Sequence, residues 1–204
     1  MNRIEEIKIV PVIAIADSSK ADGLATALIN AGLPIAEVTL RTPSSLESLK
    51  AIAAHKEILT GAGSLKNVKD LENAINAGAK FAVSAGFSPE IAAESIKLNI
   101  PYFPGVATPT EILQAINAGI TTLKFFPAET LGGVSALKAM SAPFPGIRFM
   151  PTGGISLSNM NDYLSLSSVI AVGGSWMVPQ KLIDAGEFGE IERLTREALG
   201  AIKK

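Results

Sequence analysis

Short apolar runs alternate with longer amphipathic segments along most of the chain, and this pattern predicts strands connected by helices. Most of the runs are apolar at successive positions, which is typical of parallel strands that are covered on both faces. We therefore expect an α/β protein. The candidate strands are Ile9–Ile15, Ile35–Leu40, Glu57–Gly61, Phe81–Ser84, Tyr102–Pro104, Thr122–Phe126, Arg148–Pro151 and Val169–Val172.

The ends of the helical segments carry signals of their own. The tetrapeptide Ile-Asn-Ala-Gly occurs at Ile29–Gly32, Ile75–Gly78 and Ile116–Gly119, and each glycine suits the left-handed residue that ends a helix. Thr108-Pro109-Thr110-Glu111 has the residues of an N-terminal capping box. The three copies are two strand–helix units apart, and no glycine-rich turn follows the first strand. The pattern thus favours a single (β/α)8 barrel, a TIM barrel, over residues 1–204 rather than a doubly wound sheet.

Composition excludes several classes of protein and site. The net charge of −1 gives no basic surface for nucleic acid or an anionic membrane. The first eight residues lack the apolar core of a signal peptide, and no apolar run could span a bilayer, so we expect a cytoplasmic protein. The chain has no cysteine and one histidine, His55. Disulfides and thiolate nucleophiles are therefore excluded, and we expect no metal site.

Two glycine-bearing turns follow the last two predicted strands. They are Thr152-Gly153-Gly154 and Gly173-Gly174-Ser175. Glycine lets the backbone approach an anion closely, and the loops after strands seven and eight of a (β/α)8 barrel are a frequent phosphate site. These glycines could instead serve only to make tight turns. The coincidence of two such turns at these strand ends favours phosphate binding.

Lys124 and Glu37 are ionisable residues inside apolar strands. Apolar surroundings disfavour an ammonium ion, and a neutral amine can attack a ketone to form an imine. Glu37 shares one face of its strand with Thr39 and Arg41, so a general base would lie near a guanidinium that can clamp a carboxylate. We expect the amine to meet Glu37 in one closed pocket. The alternatives are structural ion pairs, or a lysine that extends out of the strand end.

The motifs together resemble those of the family of 2-keto-3-deoxy-6-phosphogluconate (KDPG) and 4-hydroxy-2-oxoglutarate (KHG) aldolases, over nearly the whole chain. The resemblance implies a class I aldolase without a cofactor, usually a homotrimer, acting on a phosphorylated keto acid. It rests on Pro11-Val12-Ile13, Glu37-Val38-Thr39-Leu40-Arg41-Thr42, Gly61-Ala62-Gly63, Lys124-Phe125-Phe126-Pro127-Ala128-Glu129, Pro151-Thr152-Gly153-Gly154-Ile155 and Gly173-Gly174-Ser175-Trp176.

The resemblance also implies a role for each matching residue. Lys124 would form the Schiff base with pyruvate, and Glu37 would move protons. Arg41 would hold the pyruvate carboxylate with help from Ser64. The distal phosphate of the substrate would be bound by a further set of residues, namely Thr152, Gly153, Gly154 and Ser175.

Three positions depart from the family pattern. Ser64 replaces a threonine but keeps the hydroxyl, and Ser84-Ala85-Gly86 lacks the proline of a Ser/Thr-Pro-Gly motif. Asp17 stands where several relatives carry a basic residue near the phosphate, and an acid there would repel a phosphate. An unphosphorylated substrate such as 4-hydroxy-2-oxoglutarate is therefore a second candidate.

Two other functions remain open at this point. One is a barrel isomerase or synthase that binds a sugar phosphate without forming an imine. The other is a non-catalytic sensor of a phosphorylated metabolite. The presence of both Lys124 and Glu37 favours the aldolase.

Overall fold

Strands and helices alternate along the chain in the computed structural model, which describes residues 2–203. The strands are β1 Ile9–Ile13, β2 Ile35–Thr39, β3 Leu59–Leu65, β4 Phe81–Ser84, β5 Tyr102–Phe103, β6 Gly105–Val106, β7 Thr122–Phe125, β8 Arg148–Pro151 and β9 Val172–Gly174. The helices are α1 Asn2–Ile7, α2 Ala21–Ala31, α3 Ser45–Ala53, α4 Val68–Asn76, α5 Pro89–Lys97, α6 Pro109–Asn117, α7 Gly133–Ser141, α8 Met160–Leu164, α9 Gln180–Ala185 and α10 Phe188–Gly200.

The strands form two parallel sheets. One has six strands in the order β5-β4-β3-β2-β1-β9, and the other has three in the order β6-β7-β8. The predicted parallel α/β architecture is confirmed. The predicted closed (β/α)8 barrel is wrong, because the backbone hydrogen bonds of the described residues divide into these two sheets rather than one closed ladder of eight strands.

One of the two interruptions of the ladder has a local cause. Pro104 separates β5, which pairs with β4, from β6, which pairs with β7. Its carbonyl accepts a hydrogen bond from the Lys124 amide at 2.8 Å, but proline has no N–H to donate to a strand on the other side. On the other side of the small sheet, the described residues form isolated bridges at Phe149–Val169, just before β9, and at Thr152–Gly173.

Most strand predictions agree with the structure to within two residues. β4 and β8 begin and end where predicted, whereas β9 begins at Val172, the last residue of its predicted strand. β3 extends four residues further than predicted, through a Gly-Ala-Gly segment. The pattern did not predict α1, whose Ile4 is 1% exposed.

Two groups of buried apolar side chains form the core. The larger packs the helices against the strands, as Leu24, Leu28 and Leu49 illustrate. The smaller lies on the opposite face of the strands and includes Ile4 of α1. Its other members are Val10, Ile35, Phe81, Val83, Phe103, Met150, Ile170 and Ala171. Because Ile35 and Glu37 share a face of β2, this second group adjoins the predicted site.

The three repeated tetrapeptides end helices as predicted. Gly32, Gly78 and Gly119 have φ values of 85°, 104° and 80°, in the left-handed region that glycine tolerates best. Each is followed within three residues by a strand, namely β2, β4 or β7. Each repeat therefore sets the point where a helix turns back towards the sheet.

The predicted capping box at α6 is present. The Glu111 amide donates to the Thr108 hydroxyl at 3.4 Å, and the Glu111 carboxylate accepts from the Thr108 amide at 2.9 Å. The same carboxylate accepts from the Ala107 amide at 2.6 Å. The box thus fixes the turn between β6 and α6.

We predict that Thr108→Ala lowers the free energy of unfolding by about 1 kcal/mol, because the Glu111 amide loses its acceptor. Equilibrium denaturation with urea measures the change. Thr108→Ser keeps the hydroxyl and should remain close to the wild type. Equal losses in the two variants would contradict a capping role.

Candidate active site

Lys124 and Glu37 meet between the two sheets. Lys124 lies in the middle of β7 and Glu37 in the middle of β2, and the lysine Nζ donates to Glu37 Oε1 at 3.3 Å. Nζ also lies 5.3 Å from the centre of the Phe126 ring. The structure thus brings together the two residues that the sequence pattern singled out.

Water is nearly excluded from this pair. The Lys124 and Glu37 side chains are 7% and 0% exposed. Glu37 Oε2 is buried and has no hydrogen-bond partner among the described residues. A buried carboxylate oxygen without a partner is costly, and such atoms occur at sites that receive a substrate or water. The arrangement provides an amine nucleophile and an acceptor for a proton within one enclosure.

Gly63 makes room for the Glu37 carboxylate. It pairs with Thr39 in the ladder between β2 and β3, and a Cβ added to it would come 2.3 Å from Glu37 Oε1. A side chain larger than hydrogen would therefore displace the carboxylate. Glycine has a low strand propensity, and the space that Glu37 needs explains the presence of Gly63 in β3.

Arg41 and Ser64 line a common cavity of about 370 Å³, together with Leu40, Leu65, Lys66 and Ala85. Arg41 lies two residues after the end of β2, and its Nε donates to the Thr39 hydroxyl at 3.2 Å. That hydroxyl donates in turn to the carbonyl of Ile13 at 2.8 Å. Thr39 thus orients the Arg41 guanidinium. The sequence predicted only that Thr39 shares a strand face with Glu37 and Arg41.

Ser64 adopts an unusual backbone conformation within β3. Its φ is 61°, in the left-handed region, and the register between β3 and β4 shifts between Ala62 and Leu65. Bulges of this kind re-aim side chains next to functional sites. Ser64 lies at this bulge and lines the same cavity as Arg41.

The two predicted phosphate turns lie side by side. Thr152 bridges to Gly173, and a Cβ at Gly173 would come 2.3 Å from the Thr152 hydroxyl. Gly153 and Gly154 have φ values of 99° and 80°, so both adopt the left-handed conformation. Ser175 follows β9 directly and is exposed. These residues and Lys124 lie towards the carboxyl ends of neighbouring strands.

Asp17 caps the 3-10 helix Ser18–Lys20 that follows β1. Its carboxylate accepts from the Ser19 amide at 2.9 Å and from the Ser19 hydroxyl at 2.8 Å. The Ser19 hydroxyl, more than any other group, lowers the pKa of Asp17 below its ordinary value. Asp17 is therefore ionised at neutral pH, and it lies at the same edge of the sheet as Ser175.

The single histidine of the chain contacts an aspartate. His55 Nε2 lies 2.9 Å from Asp22 Oδ1, a partner that was not predicted from the sequence.

Among residues 2–203, no group of three or more His, Asp or Glu side chains is placed to hold a metal ion. No helix of the described range has the length and apolar character needed to cross a membrane.

Comparison with known proteins identifies the family of this chain. The model of the KDPG and KHG aldolase family matches residues 1–194. The chain belongs to this family. A 2-dehydro-3-deoxy-phosphogluconate aldolase from Treponema pallidum is 41% identical over 197 residues, which cover 96% of this chain and 94% of that protein. The resemblance inferred from the motifs is confirmed, and this KDPG/KHG-family aldolase is a lyase that cleaves a carbon–carbon bond. The isomerase, synthase and sensor alternatives are thereby set aside.

Solved structures of family members have the same fold as this aldolase. KDPG aldolase of Zymomonas mobilis ZM4, solved with 3-phosphoglycerate, has a TM-score of 0.91 at 36% identity and covers 99% of this chain and 97% of that one. KDPG aldolase from Legionella pneumophila, solved with pyruvate captured as a covalent carbinolamine, has a TM-score of 0.91 at 38% identity. The match covers 95% of each chain.

We predict that Gly63→Ala lowers kcat on the order of 10²-fold, because the added methyl group displaces the Glu37 carboxylate from Lys124. Steady-state kinetics and thermal unfolding measure activity and stability. Separating a buried carboxylate from its partner also costs stability, so the melting temperature should fall while the protein remains folded at the assay temperature. Gly189→Ala, whose Cβ meets no atom within 4 Å, is the matched control. Unchanged kcat in Gly63→Ala would contradict this steric role.

Proposed function

We propose that this aldolase reversibly cleaves 2-keto-3-deoxy-6-phosphogluconate to pyruvate and glyceraldehyde 3-phosphate through an imine on Lys124. The observation that carries the proposal is the buried contact between the Lys124 amine and the Glu37 carboxylate at 3.3 Å. The carbinolamine of pyruvate in the L. pneumophila relative supports the same class I chemistry here.

The first step joins the substrate to the enzyme. The Lys124 amine attacks the C2 carbonyl carbon, and proton transfer to the oxygen gives a carbinolamine. Loss of water from the carbinolamine leaves a protonated imine. Glu37 is positioned to carry these protons, because one of its oxygens contacts Nζ and the other is free of protein partners.

The protonated imine then serves as the electron sink for cleavage. Glu37 removes the proton from the C4 hydroxyl, and the C3–C4 bonding electrons flow into the imine to form an enamine. Glyceraldehyde 3-phosphate leaves as the C4 oxygen becomes its aldehyde. Protonation of the enamine at C3, followed by hydrolysis, releases pyruvate and restores Lys124. No cofactor is required, because the imine itself accepts the electrons.

The two ends of the substrate are bound at different parts of the site. Arg41, oriented by Thr39, binds the carboxylate with the help of the Ser64 hydroxyl, and both residues line the 370 Å³ cavity. The phosphate binds to Thr152, Gly153, Gly154 and Ser175 at the ends of β8 and β9. Backbone N–H groups at such turns are effective ligands for anions.

4-Hydroxy-2-oxoglutarate is a second substrate, which this aldolase would cleave to pyruvate and glyoxylate. The family name supports this activity, and the ionised carboxylate of Asp17 at the same edge of the sheet disfavours a phosphate. The reacting part of this keto acid is the same, so Lys124 and Glu37 would act on it identically.

A cytoplasmic homotrimer is the assembly that the resemblance supports. Ile96 on α5 and Leu113 on α6 are 57% and 50% exposed, and Leu98 at the end of α5 is 40% exposed. These exposed apolar side chains on two successive helices are candidates for the contact between subunits.

We predict that sodium borohydride in the presence of pyruvate adds the mass of one reduced pyruvate to the chain, at Lys124. Mass spectrometry of the intact protein and its peptides locates the adduct. Lys124→Ala should form no adduct and lose turnover, while circular dichroism shows an intact fold. An adduct on another lysine, or substantial turnover by Lys124→Ala, would disprove the imine mechanism.

We predict that Glu37→Gln lowers kcat about 10²- to 10⁴-fold, because the amide has the shape of the carboxylate but cannot accept the C4 proton. The variant should still form an adduct with pyruvate under borohydride, although more slowly. Glu90→Gln, which changes an exposed carboxylate on α5, is the control. Normal kcat in Glu37→Gln would assign the proton transfer to another group.

A further inference from the structure

Both carbonyl groups of the Gly153-Gly154 turn are held by the protein. The Gly153 carbonyl accepts from the Glu129 amide at 3.0 Å, and the Gly154 carbonyl accepts from Asn159 Nδ2 at 3.1 Å. Among residues 2–203, no group accepts from the N–H of Gly154. The turn therefore has its carbonyls fixed and an amide free for an anion.

The Glu129 side chain packs directly on this turn. A Cβ added to Gly154 would come 2.6 Å from both Cβ and Cγ of Glu129. The Glu129 carboxylate reaches in the other direction, where its Oε1 accepts a hydrogen bond from the Tyr163 hydroxyl. That oxygen would lie 3.1 Å from a Cβ added to Gly133. The side chain is thus confined between Gly154, Gly133 and Tyr163.

Tyr163 is a permanent donor to this carboxylate. It lies on α8 and is 0% exposed, with its ring in the main core. Burial, together with the Glu129 carboxylate, raises the pKa of its hydroxyl well above the ordinary value, so the proton remains in place at neutral pH. The substitution Tyr163→Phe would remove this hydroxyl and keep the buried ring.

Neither side chain is suited to bind the phosphate itself. Tyr163 is buried in the core, and the Glu129 carboxylate would repel a phosphate. Both act on the turn instead, Glu129 through its amide and its Cβ and Cγ atoms, and Tyr163 by holding the Glu129 carboxylate against Gly133.

We propose that Glu129 and Tyr163 are positioning residues. The hydrogen bond from Tyr163 to Glu129 and the contacts of Glu129 with the Gly153-Gly154 turn, together called the clasp, hold this turn in place and thereby set the affinity of this aldolase for phosphorylated substrates. The clasp keeps the Glu129 carboxylate turned towards α8 and fixes the Gly154 amide. It leaves the imine chemistry at Lys124 unaffected. This inference rests on the proposed function, since it takes the turn to be the phosphate site.

The test compares KDPG with 2-keto-3-deoxygluconate, the same keto acid without the phosphate. In Tyr163→Phe, KM for KDPG should rise on the order of tenfold, because a hydrogen bond to a charged group is lost and the turn loosens. KM for the unphosphorylated keto acid, and kcat for both, should change less than about twofold. Equal changes in KM for the two substrates, or none, would overturn the proposal.

Three variants complete the experiment. Glu129→Gln keeps an oxygen that accepts from Tyr163 and should retain the wild-type ratio of KM values, whereas Glu129→Ala should behave as Tyr163→Phe. Tyr102→Phe removes the hydroxyl of the other tyrosine, which bonds to Ser84, and should affect both substrates alike. A phosphate-selective loss in Tyr102→Phe would overturn the assignment.

The proposed function is tested separately in the same samples. Borohydride trapping of pyruvate on wild-type Lys124 reports on the imine without any phosphate group. Trapping without a change in the KM ratio in Tyr163→Phe refutes the clasp alone, whereas absence of trapping refutes the imine mechanism. Equal KM values of the wild type for the two keto acids would refute the phosphate site, and the clasp with it.

Discussion

The contact between Lys124 and Glu37 is the constraint on which much of this structure depends. It joins a strand of the three-stranded sheet to a strand of the six-stranded sheet, with both side chains almost fully removed from water. Two such groups are stable in an interior only when each lies close to the other. The ladder is interrupted on both sides of the small sheet, and this contact crosses the interior between the two sheets.

The surroundings of the pair show how one strand face serves both packing and chemistry. Phe81, Phe103 and Met150 fill the space between the strands with apolar side chains, and Ile4 of α1 packs into the same cluster. Nearer the carboxyl ends of the strands the space must instead hold the Glu37 carboxylate beside the Lys124 amine. Gly63 provides that space by having no side chain beside Glu37. Apolar packing at one end of the interior is therefore combined with space for a reactive side chain at the other.

The sequence predicts most strands because the information is local. Runs such as Phe81–Ser84 are apolar wherever they pair, and the glycines after α2, α4 and α6 are left-handed for reasons of backbone geometry alone. β3 was predicted too short because Gly61 and Gly63 have low strand propensity, and what fills their space comes from β2 and β4. Closure was predicted wrongly because a strand count does not reveal that Pro104 divides the ladder.

The residues of the site also differ in whether the sequence alone reveals them. Lys124 and Glu37 stand out in the sequence, because an ionisable residue in an apolar strand is conspicuous without its partner. Glu129 and Tyr163 do not, since a glutamate in a loop and a tyrosine on a five-residue helix are unremarkable until the fold brings them together across 34 positions. Groups that react must differ from their neighbours, whereas groups that orient them need only be adjacent in space. The first kind can be inferred from a single sequence, but the second requires the tertiary structure.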